Sequence, residues 1–138
     1  MIKISWRVPD KVLLADLSET ITVDDLRTGE VEITRRLLES QSERVHVVYD
    51  ISKATTIAFS ANQIRTTLTY FRHPKLGWLV VVGATGAMKV LTQVFASLID
   101  KVTPILLHYS PTMREALVFL RERDDTIPGS ADSLSSGQ

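Results

Sequence analysis

The amino-acid sequence predicts a single α/β domain with a mixed, mostly parallel five-stranded sheet, an N-terminal hairpin and four helices. Three observations lead there. Residues 2–8 alternate strictly between apolar and polar, the mark of a strand with one wet face. Short β-branched or aliphatic runs follow at 45–51, 78–82 and 105–109. After each run comes a turn or capping signal and then apolar residues at helical spacing, and such strand–helix units close by right-handed crossovers into parallel neighbours.

In the first strand Ile2, Ile4, Trp6 and Val8 are apolar, with Lys3, Ser5 and Arg7 between them, which suits an edge or an antiparallel pair. Pro9-Asp10 is a turn signal, and residues 12–17 return as the second arm of the hairpin. Thr22 with Asp25 forms a capping pair that opens the first helix, whose Leu26, Ile33 and Leu37 lie on one face. Gly29 inside that helix points to close packing against a neighbour. The third strand, 45–51, ends at Asp50-Ile51-Ser52-Lys53 and is expected to give way to a loop through Phe59. Ser60 with Gln63 then makes a capping box for a helix with Ile64, Leu68 and Phe71 inward, stopped by Pro74 and Gly77. Residues 78–82 are apolar on both faces, as in a central strand covered on each side. A turn through Gly83 and Gly86 leads into a helix over 87–102 with apolar residues around about half its circumference. After the fifth strand, Ser110-Pro111 reads as cap and first position of the last helix, with Met113, Ala116, Leu117 and Leu120 inward.

Ten of the last fifteen residues, 124–138, are Ser, Gly, Asp or Pro, so this stretch is expected to be a disordered tail behind a folded domain of residues 1–123. The chain carries 16 basic and 16 acidic residues, and this balance speaks against a nucleic-acid binder. The absence of cysteine excludes disulfides, thiolate metal sites and a cysteine nucleophile. No apolar run approaches the roughly 20 residues of a membrane-spanning helix. A soluble, cytoplasmic protein is expected.

The hairpin, the strand ending Asp50-Ile51-Ser52 and the helix opening at Ser60 together resemble the STAS fold of bacterial anti-sigma-factor antagonists and SpoIIAA-like proteins. The stretch from His73 to Trp78 and the pattern Ser110, Glu115-Ala116-Leu117, Phe119-Leu120 resemble the SpoIIAA-like branch. The resemblance implies a non-enzymatic regulatory domain with a protein partner, anti-sigma or kinase-like, and a phosphorylatable hydroxyl at the start of the helix after the third strand. That hydroxyl stands in an Asp-Ser-Ser-Gly type motif in the family. Here Ala58-Phe59-Ser60-Ala61 occupies its place, so Ser60 is the one candidate phosphoacceptor of a degenerate switch.

Asp50, Ser52, Thr85 and Gly86 are expected to form an interaction or ligand rim at the carboxyl ends of the parallel strands. Val90, Phe95 and Ile99 belong to an apolar strip that would serve a partner, a homodimer or an apolar small molecule. The last of these is the alternative reading, a carrier of a lipid-like molecule on a Sec14-related fold. His46, His73 and His108 have no metal-ligand spacing and read as structural; no metal or cofactor is expected. No nucleophile elbow of the form Gly-x-Ser-x-Gly occurs, and one carboxylate at Asp50 makes no acid–base pair, so catalysis is not expected.

Overall fold

The computed structural model describes residues 1–67, 73–83 and 106–128. Its elements run β1 (Ile2–Val8), β2 (Val12–Thr22), α1 (Val23–Glu39), β3 (Val45–Ala58), α2 (Ala61–Thr67), β4 (Leu76–Val82), β5 (Leu106–Ser110) and α3 (Met113–Arg123). The five strands lie side by side in chain order. β1 and β2 form the antiparallel hairpin, and every other neighbouring pair is parallel. Three helices, not four, are found among the described residues. The expected helix 87–102, with Val90, Phe95 and Ile99, lies outside them, as do Thr85 and Gly86.

Two apolar layers sandwich the sheet. Alternate residues of β4 divide between them: Leu79 and Val81 join Leu13, Ile33 and Leu37 under α1, while Val80 and Val82 join Val12, Val48, Leu117 and Leu120 under α3. β4 is therefore buried on both sides, and its unbroken apolar run follows from that. The hairpin turn is closed by the Lys11 N–H donating to the Val8 carbonyl at 3.0 Å, with Asp10 in the left-handed region at φ 68°.

The caps of α1 are as expected. The Thr22 N–H donates to the Asp25 carboxylate at 2.8 Å and the Asp25 N–H returns to Thr22 Oγ1 at 3.2 Å. Gly29 faces β1 so closely that a Cβ there would stand 2.9 Å from Ile2 Cδ1. α3 begins later than Ser110-Pro111 suggests. Ser110 is the buried last residue of β5, and Thr112 is the cap, accepting the Glu115 N–H at 3.2 Å. Pro111 sits in the short connection between them.

β3 departs most from expectation. It does not stop at Ile51 but continues to Ala58, pairing Ser18–Thr22 of a lengthened β2. Two register shifts, between Asp16 and Ser18 and between Glu19 and Thr20, each give β3 one residue more than its partner. The first appears in the burial: Tyr49, Ile51 and Ala54 are buried, whereas Ser52 and Lys53 are both exposed. Beyond the ends of β1 and β4, β2 and β3 thus form a two-stranded parallel ribbon.

The folded part also reaches past residue 123. Asp124 bonds into the sheet and Ile127 is only 3% exposed, packed with Val8 and Leu120 in the α3-side layer. The boundary expected between 123 and 124 is displaced because Ile127 supplies the apolar anchor that the polar composition of 124–138 hides.

Candidate functional site

The strand-end rim takes shape on the α3 side of the sheet. Parallel register sets Asp16, Asp50, Val82 and Ser110 in one row across β2 to β5. Two carboxylates thus stand on neighbouring strands, a juxtaposition that costs roughly 0.2–1 kcal/mol unless compensated. Lys53 approaches, with Nζ 3.7 Å from Asp16 Oδ2, while the Asp16 Oδ1 atom is buried without a hydrogen-bond partner among the described residues. Ser52 folds back on Asp50: its N–H and its hydroxyl both donate to Asp50 Oδ1, at 3.0 and 2.6 Å. The chain leaves β4 through Gly83 at φ 99°, where a Cβ would stand 2.8 Å from the Ser52 amide nitrogen. The Gly83 N–H donates to the Ser110 carbonyl at 3.3 Å, tying the ends of β4 and β5 together.

Ser60 does not join this rim. From Ser52 the strand continues to Ala58, and at about 3.3 Å per residue that carries Ser60 on the order of 20 Å further along the ribbon. There it caps α2 as expected: the Ser60 N–H donates to Gln63 Oε1 at 2.8 Å and the Gln63 N–H to Ser60 Oγ at 3.2 Å. The length of β3 thus separates Ser60, the candidate phosphoacceptor, from Asp50 and Ser52 of the expected rim. Thr85 and Gly86, the remaining members, lie outside the described residues.

At the opposite end of the sheet, where the parallel strands start, a cleft of about 630 Å³ opens between Asp10, Arg44, His46, Trp78, Arg123 and Asp124. His46 is only 3% exposed and both ring nitrogens are committed. The Trp78 N–H donates to Nδ1 at 2.9 Å, so Nδ1 is the acceptor and the proton resides on Nε2, which donates to Asp124 Oδ2 at 2.8 Å. Burial holds His46 below its ordinary value of 6.5 against the pull of Asp124, and the nearby positive charges of Arg44 and Lys11 lower it further. Asp124 is lowered as well. Its burial acts the other way but is outweighed by hydrogen bonds from Thr126 and His46. Gly77 makes room for the ring, since a Cβ there would meet His46 Nδ1 at 2.4 Å. The imidazole thus has no lone pair free for a substrate, and its bond to Asp124 fastens the end of α3 to the sheet.

Asp10 is the second fastening of that end. Its carboxylate accepts the Gln41 N–H at 3.1 Å and the Ser42 hydroxyl at 3.2 Å, while the Ser40 hydroxyl donates to its carbonyl. Burial opposes ionisation there, but these bonds and Lys11 win and the carboxyl lies low. Along the cleft wall Arg123 lies 3.7 Å over the Phe119 ring, whose plane stacks on His108 at 3.6 Å and meets Trp78 edge-on at 4.8 Å. Sequence spacing gave no sign of the His46–Asp124 pair, because its members stand 78 positions apart. Among the described residues no cluster of metal-ligating side chains occurs, and no helix is long and apolar enough to cross a membrane.

No protein-family model matches the sequence, and no curated protein matches it. Solved structures do resemble the chain. An uncharacterised DUF3478-family protein with a SpoIIAA-like fold from Shewanella loihica superposes with a TM-score of 0.61 at 17% identity, over 87% of this chain and 92% of that one. The anti-sigma factor antagonist SpoIIAA in its unphosphorylated form superposes with a TM-score of 0.59 at 10% identity, over 88% of this chain and 98% of that one. The chain has a STAS-type, SpoIIAA-like fold.

Proposed function

We propose that this is a STAS-type regulatory domain that works by binding a protein partner, in the manner of an anti-sigma factor antagonist, through the strand-end surface of Asp16, Asp50 and Ser52. The observation that carries the reading is the likeness to SpoIIAA over nearly the whole of both chains. The chemistry of the rim agrees with it: two neighbouring carboxylates, Asp16 near Lys53 and Asp50 bonded by Ser52, form a surface suited to a basic partner. Ser60 is the phosphoacceptor in this reading. A phosphoryl group would add about two negative charges at the far tip of the ribbon, enough to change which charged partner docks there.

The test begins with incubation of the protein in bacterial lysate with ATP, mapping of phosphosites and identification of the bound partner. Ser60 is expected to be the modified residue, with Ser60→Asp altering partner affinity about tenfold, or 1.4 kcal/mol. Asp50→Asn with Asp16→Asn is expected to weaken the same partner. Unmodified Ser60 together with equal partner binding by Ser60→Ala and Ser60→Asp would remove the switch. Unchanged binding in the double carboxylate variant would remove the rim. The carrier reading gains no support from the cleft at the strand starts, which is walled mainly by charged and polar side chains, and the apolar strip on which that reading rests lies outside the described residues.

A further inference from the structure

β1 ends the sheet, and among the described residues its only strand partner is β2. The direction of its free backbone groups follows from one pair. Met1 and Ser18 exchange both main-chain bonds, the Ser18 N–H to the Met1 carbonyl and the Met1 ammonium to the Ser18 carbonyl, each at 2.9 Å. Bonded and non-bonded pairs alternate along an antiparallel ladder, so Lys3 with Asp16 and Ser5 with Leu14 are the next bonded pairs. The N–H and C=O groups of Ile2, Ile4 and Trp6 therefore point outward, away from β2, as a ready template for another strand.

The two sides of this edge differ in chemistry. On the α1 side a groove of about 490 Å³ runs between Ile2 and Ile4 of β1 and Val31 of α1, which is 68% exposed. The charges on its rim are already paired, Arg27 with Asp24 at 2.8 Å and Arg36 with Glu32 at 2.6 Å. On the other side the alternation of the strand presents Lys3, and Arg7 stands at the bulge that interrupts the register between Trp6 and Val8; neither has an ion-pair partner among the described residues. A second copy pairing edge to edge about a two-fold axis would bring two Lys3 side chains onto the same face, where like charges repel. The edge is thus closed to its own kind and open to the opposite charge.

We propose that the free edge of β1 docks an extended segment of another protein in which apolar and acidic residues alternate. The segment adds a sixth strand on the outward groups of Ile2, Ile4 and Trp6. Its apolar side chains enter the groove beside Val31, and its carboxylates meet Lys3 and Arg7.

The experiment titrates the full chain with a capped seven-residue peptide of alternating Val and Glu, and with its Val and Lys counterpart, and follows amide-proton exchange by NMR. The Val/Glu peptide is expected to slow exchange at Ile2, Ile4 and Trp6 by at least about tenfold and the Val/Lys peptide to leave it unchanged. Lys3→Glu with Arg7→Glu should reverse that preference, and Val31→Glu should abolish protection by the acidic peptide. No protection at saturating peptide, or equal protection by both peptides, overturns the proposal. So does protection that rises with protein concentration alone, since a second copy would then hold the edge.

Discussion

The two ends of the sheet carry similar kinds of side chain and use them in opposite ways. Where the parallel strands start, polar groups are bonded across long stretches of chain: His46 to Asp124, Trp78 to His46, and Asp10 to Gln41 and Ser42. Where the strands end, the side-chain hydrogen bonds are local, Ser52 to Asp50 and Ser60 to Gln63, and the groups making them are exposed or half-buried. A group bonded to a distant neighbour holds the fold. One satisfied by a residue two or three positions away can exchange that bond for a partner's at small cost. The contrast places the long-range fastenings at the first end, and the proposed reading puts recognition at the second, although the cleft of about 630 Å³ lies at the first.

The sharpest way to break this division is truncation. Ending the chain after Arg123 removes both Asp124 and Ile127, and a loss of about 3–5 kcal/mol is expected from the vacated apolar site and the orphaned imidazole together. Ending it after Pro128 spares both, and denaturant midpoints compare the two. Next comes Gly77→Ala, whose Cβ must displace the His46 ring, at a cost of about 2–3 kcal/mol. That loss should be smaller in a His46→Ala background, because the obstacle is gone.

Acidification sharpens the comparison further. The folded values of His46 and Asp124 both lie below their ordinary 6.5 and 3.8. Each therefore contributes stability that is present above its unfolded value and lost as pH falls through the folded one. Stability is expected to decline from about pH 6.5 downward, and His46→Gln should flatten the upper part of that slope in pH-resolved denaturation. His108, lowered by burial and by Arg123, supplies the slope that survives. The smallest effects belong to the other end. Ser60→Ala should cost about 1 kcal/mol as a lost cap, and Ser52→Ala within about 0.5 kcal/mol. A larger loss at Ser52 than at Gly77 would invert the assignment.

Much of the architecture was legible because periodicity and caps are local. The alternation in β1, the Thr22–Asp25 and Ser60–Gln63 caps and the two-sided apolar run of β4 all state their own structure. The second half of β3 was not, since its bulges interrupt the alternation that would mark a strand; the β-branched Thr55-Thr56-Ile57 run was the surviving signal. Of the candidate site, the strand position of Asp50 and Ser52 could be read from the sequence, but the distance to Ser60 depends on that hidden length. The pairing of Asp16 with Asp50 depends on register, which no single strand displays.

The two shifts in β3 have an evolutionary consequence. Each alone would turn every later side chain of the ribbon to the wrong face, and together they add up to one full pleat. The strand length is therefore governed by parity. Losing or gaining two residues between Asp50 and Thr56 keeps inside and outside in place, while an odd change exchanges them. Relatives of this chain should differ in this ribbon by even numbers.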